Sequence, residues 1–316
     1  MAEIRPIKFS NELQSELFPD NAFYKNSKTE TGIGINVESV EIPQAAAAGS
    51  VGVGNPGTLP LTVTERTDDV LSYPVSQLYM EEPVLVTDEN EIVTNYNKRS
   101  DIITSMALAI NTKAGDIAAT AWGTTLLANM VRTTGGATAL QRTTEIVGAS
   151  GTRLRLAYED LAAMNGIKNR MNCPPGNWYG LITAAMIDDL FLIDKLTDAD
   201  KAQIAMIAEG KIGRIFGVNF SLRHNATLGH AGITYTEAAT PVKKAVGAAV
   251  AATDNAAAII WHSGLVRHAE GNAKTYIDRD KADYLGTLLN SKVRFGATQS
   301  RSDQAGIIAI VEDNGV

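Results

Sequence analysis

The stretch QAAAAGSVGVGNPGTLPLTVT, residues 44–64, contains no ionisable side chain. Its first part, residues 45–57, is too rich in Gly, Ala and Pro to form a core helix, which predicts a loop or the tip of a hairpin. Apolar and polar residues alternate roughly over residues 33–42 before it and over residues 59–64 after it. This alternation is typical of β-strands, so the sequence predicts a long two-stranded arm within residues 31–95.

A straight arm of this length predicts a partner surface. From Asn36 to Asn55 it would span roughly 60 Å at about 3.3 Å per strand residue. A compact chain of this size has a radius of gyration of only about 20 Å. An isolated hairpin is marginally stable in water, so the apolar face of the arm needs another surface, most simply a neighbouring subunit. In the alternative, the hairpin folds back on its own sheet or forms a surface loop.

Composition favours a globular structural protein. The chain has 316 residues, of which 45% are hydrophobic and 20% charged, so it can bury a large core. The net charge of -7 argues against tight binding of nucleic acid, although a weakly acidic subunit can still enclose DNA. Cys173 is the single cysteine, which excludes an intrachain disulfide and indicates synthesis in a reducing compartment. Without an apolar signal-peptide core or a run of about 18 apolar residues, we expect cytosolic synthesis and no membrane span.

Helical and strand periodicities follow one another along the rest of the chain. The apolar spacing of three and four predicts one long helix from Asn95 to Gly123. Residues 131–151 are rich in Thr, Gly and Ser and indicate a loop or linker. Between residues 152 and 264 the pattern alternates as in a compact α/β domain, with helices predicted at 156–170, 184–193 and 198–209 and strands at 178–183, 211–221 and 256–261. Apolar alternation around 293–295 and at 307–311 predicts a terminal sheet.

The search for catalytic chemistry gives no candidate site. The histidines fall in two pairs, each six residues apart, whereas zinc-binding helices use spacings near four. Asp188 and Asp189 are adjacent and diverge by about 100° on a helix, so we expect surface or helix-capping roles. Neither a phosphate-binding loop nor a dinucleotide fingerprint is present. The sequence therefore predicts no catalytic residue, no cofactor and no metal. An enzyme built from scattered residues would have to draw on four ionisable groups: Asp188, Arg214, His224 and His262.

The order of segments resembles the major capsid proteins of tailed bacteriophages with the HK97 fold. That α+β fold has an N-terminal arm, an extended β-hairpin loop, a long spine helix in a peripheral domain, and an α/β axial domain. Local similarity is carried by Trp178–Thr183 before a helix, by Gly210–Ser221, by Ala256–Leu265, and by Arg294–Arg301 with the final strand. The resemblance covers essentially the whole chain and rests on the order of segments rather than on one diagnostic motif.

The resemblance implies a division of the chain into five parts. They are an N-terminal arm (1–30), the extended loop (31–95), a peripheral domain with the spine helix (96–151), an axial domain (152–264) and the return strands of the peripheral domain (265–316). It also implies a shell of pentamers and hexamers that is made in the bacterial cytoplasm and becomes the virion capsid around double-stranded DNA. The implied partners are other copies of the chain, a portal, and cement or decoration proteins. A covalent Lys–Asn crosslink, which some family members use, is disfavoured because the loop tip has no lysine.

Apolar side chains on the two arms are the predicted contacts between subunits. We expect contacts from seven residues: Leu17, Phe18, Phe23, Val51, Val53, Pro60 and Leu61. Two rival classes of protein fit part of these sequence features. An encapsulin-like cargo compartment has the same fold but no DNA, and a fibre or adhesin would contain more strand and less helix.

Overall fold

The computed structural model describes residues 21–30, 37–46, 51, 53–54, 65–87, 98–193, 214–281 and 283–315. Three α-helices lie in these ranges: α1 (Lys98–Trp122), α2 (Tyr158–Arg170) and α3 (Ala184–Phe191). Short 3₁₀ helices occupy Ala22–Lys25, Leu127–Asn129 and Gly136–Thr138. The strands are β1 (Lys28–Glu30), β2 (Ser39–Gln44), β3 (Asp69–Pro74), β4 (Ser76–Tyr79), β5 (Val84–Thr87), β6 (Met130–Arg132), β7 (Gln141–Thr143), β8 (Thr152–Leu154), β9 (Trp178–Ile182), β10 (Arg214–Ile215), β11 (Val218–Leu222), β12 (Thr234–Tyr235), β13 (Asn255–His262), β14 (Val266–Glu270), β15 (Lys274–Lys281), β16 (Gly286–Gln299) and β17 (Ile307–Val311).

The long helix is present where the sequence places it. Helix α1 has 25 residues and ends at Trp122, one residue before the predicted end. Its buried stripe repeats every fourth residue, as the 3.6-residue period of a helix requires for one face: Met106, Ile110, Ala114, Ala118 and Trp122. This stripe packs on both main sheets, so α1 joins the two halves of the molecule.

Strand β16 is the centre of a six-stranded sheet. Its 14 residues pair with β14 and β15 along one edge and with β4 and β5 along the other, and β1 pairs in parallel with β14. From Thr287 to Phe295, every second residue of β16 is buried. This period of two marks a strand with one face on α1 and the other face partly open.

A seven-stranded sheet forms the other half. Its order is β10-β11-β9-β13-β17-β6, with β12 paired to β13. Every residue of β13 and β17 is buried. Alternate residues enter two different cores: Ile259 and Trp261 pack with Trp122 and Phe23, whereas Ile260 packs under α2 and α3. Burial on both faces explains why β13 and β17 are continuous apolar runs rather than alternating strands.

Three sequence-based predictions need correction. The predicted linker at residues 131–151 contributes β6 and β7, and β6 joins the seven-stranded sheet because β17 offers it a free edge. The predicted terminal sheet is divided, since β16 lies in the six-stranded sheet and β17 in the seven-stranded one. Phe23 and Tyr24 enter the core instead of lying on another surface. The helix predicted at 198–209 and the strand predicted at 59–64 fall outside the described residues.

Candidate assembly surfaces

The extended arm is an antiparallel hairpin whose base is fixed to its own subunit. Strands β2 and β3 pair from Ser39–Pro74 to Gln44–Asp69. Ile42 and Tyr73 are 3% and 4% exposed and pack with Val75 and Ala269 in a small separate core. The base of the hairpin therefore packs on its own subunit.

Polar contacts hold the base of the arm in the same place. Arg294 Nη1 donates to the carbonyl oxygen of Val37 at 2.7 Å, and Gln44 Nε2 donates to that of Ser300 at 2.7 Å. Val75 N donates to the Glu38 carbonyl at 2.8 Å. These bonds join the residues before β2, and the last residue of β2, to residues in and beside the six-stranded sheet.

The apolar side chains that the structure describes at the tip of the arm are open to solvent. Val51 is 91% exposed and Val53 is 102% exposed, and Val70 on the returning strand is 52% exposed. The two limbs are joined beyond the paired strands by Asp68, which accepts hydrogen bonds from Ala46 N at 3.0 Å and from Arg66 Nε at 2.6 Å. The bond from Arg66 lowers the pKa of Asp68 to about 2, so this carboxylate stays ionised near neutrality.

The predicted subunit contacts divide into three groups. Val51 and Val53 have the exposure that an intersubunit contact needs. Phe23 does not, because it is 4% exposed and packs edge-on against Trp122 and Trp261 of its own chain, with ring centroids 5.9 and 6.0 Å away. The prediction for Phe23 is therefore wrong, since a side chain in its own core cannot bind a neighbour. Leu17, Phe18, Pro60 and Leu61 lie outside the described residues.

A second exposed surface follows β15. Within the described residues this strand pairs only with β16, so its outer backbone groups face away from the sheet. Tyr276 and Ile277 are 41% and 47% exposed. Lys274 Nζ and Lys292 Nζ lie 4.8 and 5.4 Å from the centroid of the Tyr276 ring, and a hydrogen bond from Lys292 lowers the pKa of its hydroxyl. Sequence spacing alone does not reveal this basic and aromatic surface, because the lysines that flank Tyr276 come from two different strands.

Residues 38–312 match the family model described as phage capsid protein. The chain belongs to the phage capsid protein family. That match covers most of the chain, and the molecule acts as a major capsid protein, a structural component of the virion shell. No curated protein sequence matches the chain.

Solved structures share the fold of this capsid protein. A chain from Mycobacterium phage Che8 superposes with a TM-score of 0.67 at 14% identity, and the match covers 98% of both chains. The capsid of cyanophage P-SCSP1u gives a TM-score of 0.62 at 16% identity, covering 97% of this chain and 92% of the other. The capsid of Helicobacter pylori bacteriophage KHP30 gives 0.59 at 10% identity, covering 98% and 96%. The fold is the HK97-like capsid fold, which these structures share with this chain at 10–16% sequence identity.

The four ionisable residues that an enzyme would have to draw on differ in their exposure. Three of the residues that an enzyme would use, Asp188, Arg214 and His224, are exposed, while His262 is 2% exposed beside Trp178. Among the residues that the structure describes, no group of three His, Cys, Asp or Glu side chains could hold a metal ion. In the same part of the chain, no helix has the length and apolarity needed to cross a membrane.

Asp189 is part of a buried ionic cluster that ties several elements together. Arg142 Nε donates to Asp189 Oδ2 at 2.9 Å, and Arg142 Nη2 donates to Glu312 Oε1 at 2.5 Å. Ala256 N donates to Glu312 Oε2 at 3.2 Å, and burial raises the pKa of this carboxyl. The cluster joins β7, α3, β17 and β13. The surface role predicted for Asp189 is wrong, because α3 turns this residue toward Arg142.

Proposed function

We propose that this capsid protein assembles as pentamers and hexamers into an icosahedral shell that encloses the phage genome. The observation that carries the proposal is the arm, whose base is fixed by Ile42 and Tyr73 while Val51 and Val53 at its tip are exposed. Exposed apolar side chains held on a directed support form an interaction surface. A closed shell repeats one heterologous contact around each ring, so each tip would meet the body of the next subunit.

In this proposal the segments of the chain are assigned to the domains that the family resemblance implies. The N-terminal arm is 1–30, the extended loop is 31–95, and the peripheral domain contains α1 and the six-stranded sheet. The axial domain is built on the seven-stranded sheet. Because β17 pairs with β13, we assign residues 307–311 to the axial domain and not to the returning peripheral strands.

The proposal extends to partners and location. The resemblance supports a portal and cement or decoration proteins as partners, and synthesis in the host bacterial cytoplasm. DNA would be enclosed without sequence-specific binding, which the net charge of -7 favours because phosphate contacts require clustered cations. We also propose that the protein has no enzymatic role, because its buried ionisable groups bind one another and backbone groups.

Negative-stain electron microscopy with light scattering on the purified chain tests this function. We expect closed shells, or rings of five and six subunits that close into shells at higher concentration. Extraction of the particle contents then separates the two shell classes, since a virus shell takes DNA during infection whereas an encapsulin-like compartment holds a protein cargo. A chain that stays monomeric at high concentration, with scaffold or crowding agents added, would overturn the assembly proposal.

A further inference from the structure

A groove of about 570 Å³ runs between the end of β4 and α1. Leu78, Tyr79 and Met80 form one wall, and the helix contributes Ala109 and Ile110 to the other. Tyr79 is 58% exposed although it lies at the wall of the groove. An apolar groove that remains open in a folded subunit marks a docking site.

The rim of the groove is charged. Glu81 and Glu82 lie at one end and Lys113 lies on the helix side. Both glutamates are exposed, and within the described residues neither forms an ion pair. Two carboxylates against one ammonium give this rim an excess of negative charge, so a basic segment with apolar side chains suits it.

The N-terminal end of the described chain arrives next to this groove. Asn21 Nδ2 donates to Thr112 Oγ1 at 3.4 Å, and Arg223 Nε donates to Asn21 Oδ1 at 3.0 Å. Thr112 is three residues from Ala109 on α1 and directly precedes Lys113. Side chains three residues apart on a helix are about 5–6 Å apart. Asn21, which directly follows residues 1–20, therefore lies within about two such distances of the groove.

We propose that residues 4–9 of the N-terminal arm, IRPIKF, dock in this groove of their own chain. Ile7 and Phe9 would pack against the apolar walls, while Arg5 and Lys8 would face Glu81 and Glu82. The eleven residues from 10 to 20 reach up to about 36 Å when extended, which is more than the connection requires. A tether of this length gives an effective concentration in the millimolar range, which favours the chain's own groove over that of a neighbour.

Disulfide trapping tests the docking in the soluble chain before assembly. Cys173→Ser removes the single cysteine, after which Ile7→Cys is combined with Tyr79→Cys and oxidised mildly. Non-reducing electrophoresis and intact mass measure the closed monomer. The matched control pairs Ile7→Cys with Val242→Cys, because Val242 is 60% exposed, close to the 58% of Tyr79, and lies in the loop between β12 and β13. We expect at least tenfold more closed monomer for the Tyr79 pair.

Charge exchange checks the orientation in the same assay. Glu81→Lys with Glu82→Lys should lower the yield of closed monomer severalfold, and adding Arg5→Glu with Lys8→Glu should restore it. Closure no better than the control, or covalent dimers in place of closed monomers, would overturn the docking. Shell formation is recorded in parallel by electron microscopy, so normal shells without closure would contradict only the docking, and closure without shells would contradict only the proposed function.

Discussion

Glycine at position 115 of α1 is required by a close approach of the N-terminal segment. A Cβ atom there would lie 2.4 Å from Asn21 Oδ1, an atom that also accepts a hydrogen bond from the buried Arg223. Gly166 in α2 has no atom within 4 Å of the same position. Packing therefore requires glycine at position 115 but not at position 166, although both glycines look equally unfavourable for a helix in the sequence.

We expect Gly115→Ala to lower the free energy of unfolding by about 1–3 kcal/mol, because the added methyl group displaces Asn21 from its bond with Arg223. Gly166→Ala should raise it by up to about 1 kcal/mol, since alanine restricts the unfolded chain and favours the helix. Urea unfolding of the unassembled chain, followed by circular dichroism, measures both. Equal effects of the two substitutions would contradict the packing of Asn21 against α1.

His230 makes the stability of the fold depend on pH. It is 4% exposed, and its Nδ1 accepts a hydrogen bond from Gly232 N at 3.0 Å. Burial, together with the charges of Arg223 and of His224, lowers the pKa of His230 from 6.5 to about 4. A lowered histidine pKa means that the folded chain favours the neutral side chain. The contribution of His230 to the free energy of unfolding is therefore complete above pH 6.5 and is lost as the pH falls toward 4.

Between pH 6.5 and pH 4, the lowered pKa of His230 reduces the free energy of unfolding by about 3 kcal/mol. We expect His230→Asn to reduce the pH dependence of the unfolding free energy across this window relative to the unsubstituted chain. His224→Asn removes an exposed histidine that is only a secondary cause of the lowered pKa of His230, so it should change the pH profile less than His230→Asn does. A His230→Asn chain with an unchanged pH profile would show that His230 is not neutral in the folded protein.

At the scale of elements, the tip of the arm separates assembly from folding. Val51→Asp with Val53→Asp places two charges where the described structure has only solvent, so the unfolding free energy of the single chain should change by less than about 0.5 kcal/mol. Shell formation should be lost, because burying an unpaired carboxylate at an interface is costly. Val242→Asp is the control, because it places a charge at an exposed valine outside the arm. Light scattering measures assembly, and normal shells from the tip variant would remove the arm from the interface.

Strand β15 offers a second assembly test at this scale. Lys274→Glu with Lys292→Glu reverses both charges beside Tyr276 without entering the core. We expect normal folding, slower assembly, and an assembly rate with a changed salt dependence, because electrostatic steering between subunits is screened by ions. An unchanged rate at every ionic strength would mean that this edge does not meet a neighbour.

The sequence predicts the elements well where one period dominates. Helix α1 and strand β13 lie within a few residues of their predicted bounds. The helix buries one face and shows the helical period, and the strand is buried on both faces and shows a continuous apolar run. The pairing of elements could not be predicted in the same way. Strand β6 has three residues and depends on the edge of β17, and the ionic cluster at Arg142 joins residues 170 positions apart. Phe23 was misplaced because an apolar residue in a polar segment has the same pattern whether it packs on its own core or on a neighbour.

At the scale of the whole molecule, α1 connects two sheets that serve different purposes. The seven-stranded sheet is buried on both faces at β13 and β17, whereas the six-stranded sheet carries the arm, the edge strand β15 and the groove beside β4. The surfaces proposed for assembly and docking thus collect on one half of the subunit. In the proposed shell, this separation would let contacts vary between rings of five and six while the rest of the fold stays constant.

The central claim is that the exposed tip of the arm binds a neighbouring subunit in a closed shell. Cryo-electron microscopy of the assembled particle tests it most directly, at a resolution that shows side chains. We expect Val51 and Val53 to be buried against the body of an adjacent subunit, with Phe23 still packed on Trp122 and Trp261 of its own chain. Shells in which both valines face solvent at every position in the lattice would contradict it.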